Sequence, residues 1–321
     1  MVNGASGSAW ASVIRGRRSE ETLLLGTPAH DDPTPLGREH LFDLASLTKV
    51  FTAVTALVLV DDGVIDLDAP LREIAPAHGA ATLRHLLTHT AGVPAEHSGW
   101  RAGLRGDDLI EAVLATQGIA EPGERHLYSD VGYVVAGHVL ELVTGRALDD
   151  LVQERVAVPL GAGTLTYRPD HAMAVATETQ PGRGAIRGEV HDELAHAMVR
   201  PTGHAGLFGT LDDVVALASM VIGGGQGREG PVLSASSVRM MTTPRVVSAA
   251  DYGQTIGLRV RDRSWMGDVD AVGHTGFTGT CFAVSLQSGH VAVLLTNRVH
   301  PTRSGTDISG VRRRFLRGLL R

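Results

Sequence analysis

Apolar residues recur at helical spacing from position 47 to 62, at Leu47, Val50, Phe51, Val54, Leu57 and Val58, and Gly63 follows as a stop. The same period predicts shorter helices at 83–87, 107–117, 131–144 and 211–222, the last two closed by Gly145 and by the glycines at 223–225. Elsewhere the period changes to two. Residues 8–16 and 19–26 read as strands joined by a basic turn, and 256–261, 281–286 and 291–296 read as three more. Residues 29–38 form a proline- and aspartate-rich loop. Residues 159–204 are rich in Gly, Pro, Thr and His with weak periodicity, and read as long loops lining something. A basic amphipathic helix at 307–321 closes the chain. Strands at both ends and helices between predict an α+β fold, an antiparallel sheet flanked by helices plus a mostly helical domain. Residues 1–75 and 205–321 would build the sheet domain, 76–204 the helical and loop domain, with the active site between them.

Composition narrows the function. The 321 residues are 43% hydrophobic and 20% charged, enough apolar content for a large core, which excludes a disordered chain. A net charge of −6 leaves no basic field for a phosphate backbone, so nucleic acid is not an expected partner. The longest apolar run, 50–60, is far below the roughly 18 residues that span a bilayer, and no membrane is expected. The N-terminal arginines follow the apolar residues instead of preceding them, which is not the order of an export signal. With Met1 as the native start, the expected location is the cytoplasm. A single cysteine, Cys281, forms neither an internal disulfide nor a thiolate metal site, and reads as a small buried residue.

One count stands out: of 29 basic side chains only Lys49 is a lysine. Arginine supplies positive charge anywhere on a surface but does not release its proton, whereas a desolvated lysine does. Lys49 lies three residues after Ser46, on the same helical face. At the helix start, unpaired N–H groups and the helix dipole favour negative charge near the serine oxygen. Burial among Leu44, Phe51 and Ala53 would lower the lysine pKa and make it a proton acceptor. Taken alone, the spacing also fits a helix-capping serine and a solvated lysine. Tyr128-Ser129-Asp130 forms a second element before a helix, with a phenol suited to passing protons to and from the lysine and with Asp130 as an acceptor for Lys49; a cap with a packed tyrosine fits as well. The third is Gly273-His274-Thr275-Gly276, where small residues let backbone N–H groups approach a bound carbonyl; a glycine-rich hairpin is the alternative.

Together and in this order, the three elements resemble the S-x-x-K, Y-x-N and K/H-T-G signatures of the penicillin-recognising serine hydrolases: class C β-lactamases, DD-peptidases and related esterases. The surrounding segments at 42–71, 83–94, 122–145, 190–198, 203–214, 273–280 and 294–303 resemble that family too. The resemblance implies a β-lactamase/transpeptidase-like fold. It implies Ser46 as the acylated nucleophile, Lys49 as its base and Tyr128 as the proton relay. It implies that His274, Thr275 and Gly276 frame the substrate, and that the backbone N–H groups of Ser46 and Phe277 form the oxyanion hole. Two positions depart from the pattern: Asp130 stands where asparagine is usual, and His274 where lysine is usual. Both lower the positive charge available to a substrate carboxylate.

The expected function is therefore an acyl-enzyme serine hydrolase for a small ester or amide, requiring no cofactor. A β-lactamase or D-amino-acid peptidase, an acyltransferase and an inactive binding protein on the same fold are the alternatives. The spacing of His85 and His89 suits a metal but lacks the glutamate of a zinc motif. His191, Asp192, His196 and His204 read as a polar wall of the cleft, with His191 and His204 as substrate-side support. Arg312–Arg314 and Arg317 read as the solvated face of the last helix.

Overall fold

A computed structural model describes residues 9–15 and 20–317 of the chain. Eight antiparallel strands form one sheet, in the order Glu20–Gly26, Ala9–Arg15, His290–Thr296, Cys281–Ser285, Val272–Thr275, Arg259–Val260, Gly253–Gln254 and Val246–Val247. The two ends of the chain meet inside this sheet, with Trp10 opposite Thr296 and Ala11 opposite Leu295. That is the α+β arrangement the sequence predicts.

Thr48–Asp61 is the central helix, and nearly every residue in it is buried. An amphipathic spacing leads one to expect a polar face; instead the polar positions are threonines that satisfy themselves. Thr52 and Thr55 donate to the carbonyls of Thr48 and Phe51, at 3.2 and 2.9 Å. A helix wrapped in protein on all sides needs no solvated stripe. Gly63, at φ +71°, turns the chain out of the helix. One apolar cluster joins this helix to Asp130–Thr144, Leu211–Ile222 and the sheet, through Phe51, Leu57, Val135, Leu217 and Val293.

The other predicted helices fall at Leu83–Leu87, Gly106–Leu114, Asp130–Thr144 and Leu211–Ile222, within a few residues of their periodic patterns. Differences concentrate where the elements are short. The strand expected over 256–261 is only Arg259–Val260. The central strand Val272–Thr275 has four residues and a glycine, too few to show a period. Ala235–Thr242 and Glu193–Met198 are helices without a long apolar stripe, the latter inside the region expected to be all loop. Leu148–Val152 runs through a π turn, Gln153–Ala157, into Val158–Leu160. The last helix is Ile308–Leu316, and positions 318–321 of the expected helix lie outside the described residues. Its expected solvated face is corrected at Arg312. That side chain is 6% exposed and donates to the carbonyls of Gly276 and Thr280 at 2.6 and 2.8 Å, adding a charged donor to two oxygens that already accept from the Gly279 and Gly276 N–H groups.

Candidate active site

The sheet-side strand Phe42–Asp43 passes through the tight turn Ala45–Leu47 into the buried helix, and Ser46 sits in that turn. Ala45 is forced to φ +48°, a conformation costly for a residue with a Cβ and therefore held from outside. Its N–H donates to Asp43 Oδ1 at 2.8 Å, and the other oxygen of Asp43 accepts from the His191 N–H at 2.7 Å. Burial pushes the Asp43 carboxyl up, against the pull of these two donors. Thr278 and Thr280 donate to the carbonyls of Asp43 and Leu44 at 2.8 and 3.1 Å. Ser46 Oγ caps no backbone group in the helix that follows. The turn thus presents the hydroxyl instead of using it.

Lys49, 1% exposed, lies one turn into the helix. Its Nζ donates to Ser46 Oγ at 3.1 Å and to the His204 carbonyl at 2.8 Å, and stands 2.7 Å from Asp130 Oδ1. Burial alone would lower its pKa, as the sequence suggests. The structure corrects that expectation, because the Asp130 carboxylate and the Tyr128 hydroxyl outweigh burial and raise the lysine above its ordinary 10.5. The resting site therefore holds an ammonium.

Asp130 opens the helix Asp130–Thr144, whose cap is Ser129: its Oγ accepts from the Gly132 N–H at 3.0 Å. This cap sets Tyr128 just outside the helix, with its ring 5.2 Å from Lys49 Nζ. Two neutral imidazoles flank the phenol ring, His89 at 4.4 Å and His274 at 6.1 Å between centroids. His89 Nδ1 accepts from the Ser129 N–H at 3.0 Å, which leaves the proton on Nε2. Burial, then the charge of Lys49, holds His89 well below the usual histidine range. His274 donates Nδ1–H to the Thr275 carbonyl at 2.9 Å. Burial, then Arg259 and Lys49, likewise keeps it neutral.

His274, Thr275 and Gly276 end the strand Val272–Thr275 beside the nucleophile turn. A Cβ on Gly276 would fall 2.5 Å from the Leu44 carbonyl oxygen and 2.1 Å from Thr280 Oγ1, so only glycine lets these segments approach. Phe277 follows, half-exposed, stacked on His191 at 5.6 Å and lying beneath the guanidiniums of Arg298 and Arg303 at 4.6 and 5.4 Å.

The histidine cluster resolves into separate pairs. His191 Nε2 donates to Glu178 at 3.0 Å. Despite the cost of burial, Arg303 and His191 hold that carboxyl down at about 2. His204 Nε2 donates to Asp192 Oδ1 at 3.0 Å. His196 is 3.9 Å from Glu189 and is not drawn into the site. Among the described residues no group of three or more His, Cys, Asp or Glu side chains suits a metal ion. The spacing of His85 and His89 is accounted for without one: His85 Nδ1 accepts from the Thr82 N–H while His89 lies under Tyr128.

Ser46, Lys49, Tyr128, Asp130, His274, Thr275, Gly276 and Phe277 thus converge, with His191 and His204 behind them. Sequence reasoning missed Arg259. It faces Gly273 across the sheet, lies 4.8 Å from the Tyr128 ring and 4.9 Å from that of Tyr252, and pairs with Asp262 at 3.0 Å. Nothing marks it among so many arginines; only the strand register does.

The family model described as Beta-lactamase matches residues 2–315. A protein from Escherichia coli (strain K12) named "Putative D-alanyl-D-alanine carboxypeptidase" is 29% identical over 319 residues, covering 86% of this chain and 73% of its own. The octameric penicillin-binding protein homologue from Pyrococcus abyssi superposes with a TM-score of 0.80 at 20% identity, covering 98% of this chain and 74% of its own. EstCE1, a hydrolase with promiscuous acyltransferase activity, superposes with a TM-score of 0.77 at 21% identity, covering 97% and 95%. At these identities the two structures speak to the fold alone.

Proposed function

The chain belongs to the Beta-lactamase family of serine hydrolases, and from that premise we propose that it cleaves a small ester or amide through an acyl-enzyme on Ser46. One observation carries the reading: Ser46 Oγ lies 3.1 Å from the amine of the only lysine, which is itself 2.7 Å from Asp130. Because Lys49 rests as an ammonium, its capacity as a base comes from Asp130. Lys49 passes one proton to the carboxylate and takes the Ser46 proton as Oγ attacks the substrate carbonyl. The oxyanion is met by the N–H groups of Ser46 and Phe277. Tyr128 Oη then donates its proton to the leaving oxygen or nitrogen as the carbonyl–leaving-group bond breaks. The proton stored on Asp130 returns through Lys49 to Tyr128. Water repeats the sequence to release the acid.

A neutral ester is the preferred substrate in this reading, since His274 is uncharged and Asp130 is negative. A second reading, an amide with a terminal carboxylate, is favoured by Arg259. Its guanidinium puts back beside His274 the charge that the usual lysine would supply, and its Nε has no protein partner. Fluorophosphonate should label native protein at Ser46, and Ser46→Ala should remain folded yet lose both labelling and turnover of p-nitrophenyl esters. Near-native turnover in that variant would sink the mechanism. Comparing kcat/KM for those esters, nitrocefin and D-alanyl peptides ranks the substrates.

A further inference from the structure

Lys49 directs donors at three oxygens, and two of them belong to the reaction: Ser46 Oγ and Asp130. The third is the main-chain carbonyl of His204, 155 residues away, at 2.8 Å. A carbonyl is only as well aimed as the loop that carries it, and residues 199–207 contain no regular structure. The fixing comes from the His204 side chain. Its ring is 0% exposed, and Nε2–H donates to Asp192 Oδ1 at 3.0 Å. Asp192 is anchored in turn, because the same oxygen caps the helix Glu193–Met198 by accepting from the Ala195 N–H at 2.8 Å. Against the cost of burial, His204 and this N–H hold the Asp192 carboxyl well below its ordinary range, so the pair keeps a charged acceptor.

Among the described residues His204 Nδ1 is buried with no partner. Leaving such an atom unsatisfied is costly. A residue kept for stability alone would not choose an imidazole there. His191, immediately before Asp192, donates its N–H to Asp43 and so holds the nucleophile turn. Residues 191 and 192 thus tie the serine turn and the lysine carbonyl to one short segment.

Building on the acyl-enzyme reading, we propose that Asp192 and His204 are a positioning pair. Asp192 locks the His204 ring, the locked ring holds the 204 carbonyl on Lys49, and the pair acts on Ser46 only through that lysine. Misplacing a reacting group by about 1 Å costs up to about 100-fold in rate. Asp192→Ala and His204→Ala should each lower kcat on a p-nitrophenyl ester, and the rate of Ser46 labelling by fluorophosphonate, by about 10-fold or more, with KM within about twofold. Asp192→Asn keeps an acceptor oxygen for both donors and should recover most of the loss; a purely structural role would change Tm without this split or rescue. Should Asp192→Ala fail to fold, His204→Ala against His204→Gln, which supplies an N–H, gives the same contrast. Native kcat and labelling rate in a folded Asp192→Ala would overturn the pairing, as would Asp192→Asn being as slow as the alanine variant. Absence of labelling in native protein would strike at the acyl-enzyme reading itself.

Discussion

Asp130→Asn isolates the group that, in the proposed mechanism, makes a charged lysine usable as a base. In the native site the carboxylate stands 2.7 Å from Lys49 Nζ, where the attraction is on the order of 6 kcal/mol at an effective dielectric of about 20. Burial opposes it, by up to about 3–5 pKa units for a fully enclosed lysine. The native balance favours the ammonium, with a pKa raised above 10.5. Removing the carboxylate leaves burial opposed mainly by Tyr128, so the pKa of the amine should fall. The variant also loses the internal acceptor, and Lys49 must then shed its proton to solvent before it can act.

The native kcat/KM for a neutral ester should therefore show no acidic limb from Lys49, in place of the depressed-pKa limb that burial alone suggests. Asp130→Asn should show a new acidic limb, activity falling about tenfold per pH unit below the lowered lysine pKa. Stability supplies a second measurement with the sign fixed by linkage. In native protein the folded pKa is raised, so the stabilisation is full below 10.5 and is lost only as pH rises through the higher folded value. In the variant the folded pKa is depressed, so the folded state binds fewer protons than the unfolded chain and stability rises with pH. The Tm deficit of the variant should narrow as pH rises from neutrality toward 10.5. A variant profile that superposes on the native one after scaling, together with a constant Tm deficit, would refute the assignment of the lysine proton to Asp130.

Three other substitutions test separate parts of the site. Lys49→Arg should lose at least about 100-fold in kcat/KM, because the guanidinium neither fits the enclosed space nor releases its proton; retention of a tenth of native activity would make the residue a fixed charge. Arg259→Gln should weaken carboxylate-bearing amides by about 10-fold or more while changing p-nitrophenyl acetate little, and equal effects on both would remove the second reading. Gly276→Ala must displace the Leu44 carbonyl, 2.5 Å from the new Cβ, at a cost of about 1–3 kcal/mol in chemical denaturation, with a fall in kcat that exceeds any change in KM.

The grouping of side chains around Ser46 was legible because its signals are local. A serine and the sole lysine one helical turn apart, a tyrosine before a capped helix and a strand ending in glycine are each visible in a few residues. The helix Thr48–Asp61 was also legible from its apolar spacing, though its burial on every side was not. What escaped depends on contacts between distant segments. Arg259 enters the site through its register with Gly273, and Arg312 reaches the Gly276 carbonyl from the last helix. The direction of the Lys49 shift was misread for the same reason. Burial follows from the apolar neighbours in sequence, and Asp130 is visible there as an acceptor for the lysine, but that its 2.7 Å approach outweighs burial is a tertiary fact.

The two departures from the family pattern then act together. With asparagine and lysine, positive charge at the strand would help draw a carboxylate into the cleft, and Lys49 would have a neutral neighbour. Here the strand imidazole is neutral, and Arg259, one strand further out, carries the positive charge. Its guanidinium is shared with Asp262 at 3.0 Å and with two aromatic rings, so it offers less to a substrate than a free ammonium would. The negative charge of Asp130 is meanwhile met by Lys49, which makes the pair nearly neutral to an incoming group. On the proposed reading such a cleft has little free positive charge to hold a substrate carboxylate, which favours the neutral ester, and Arg259→Gln measures how far the shared guanidinium offsets that preference.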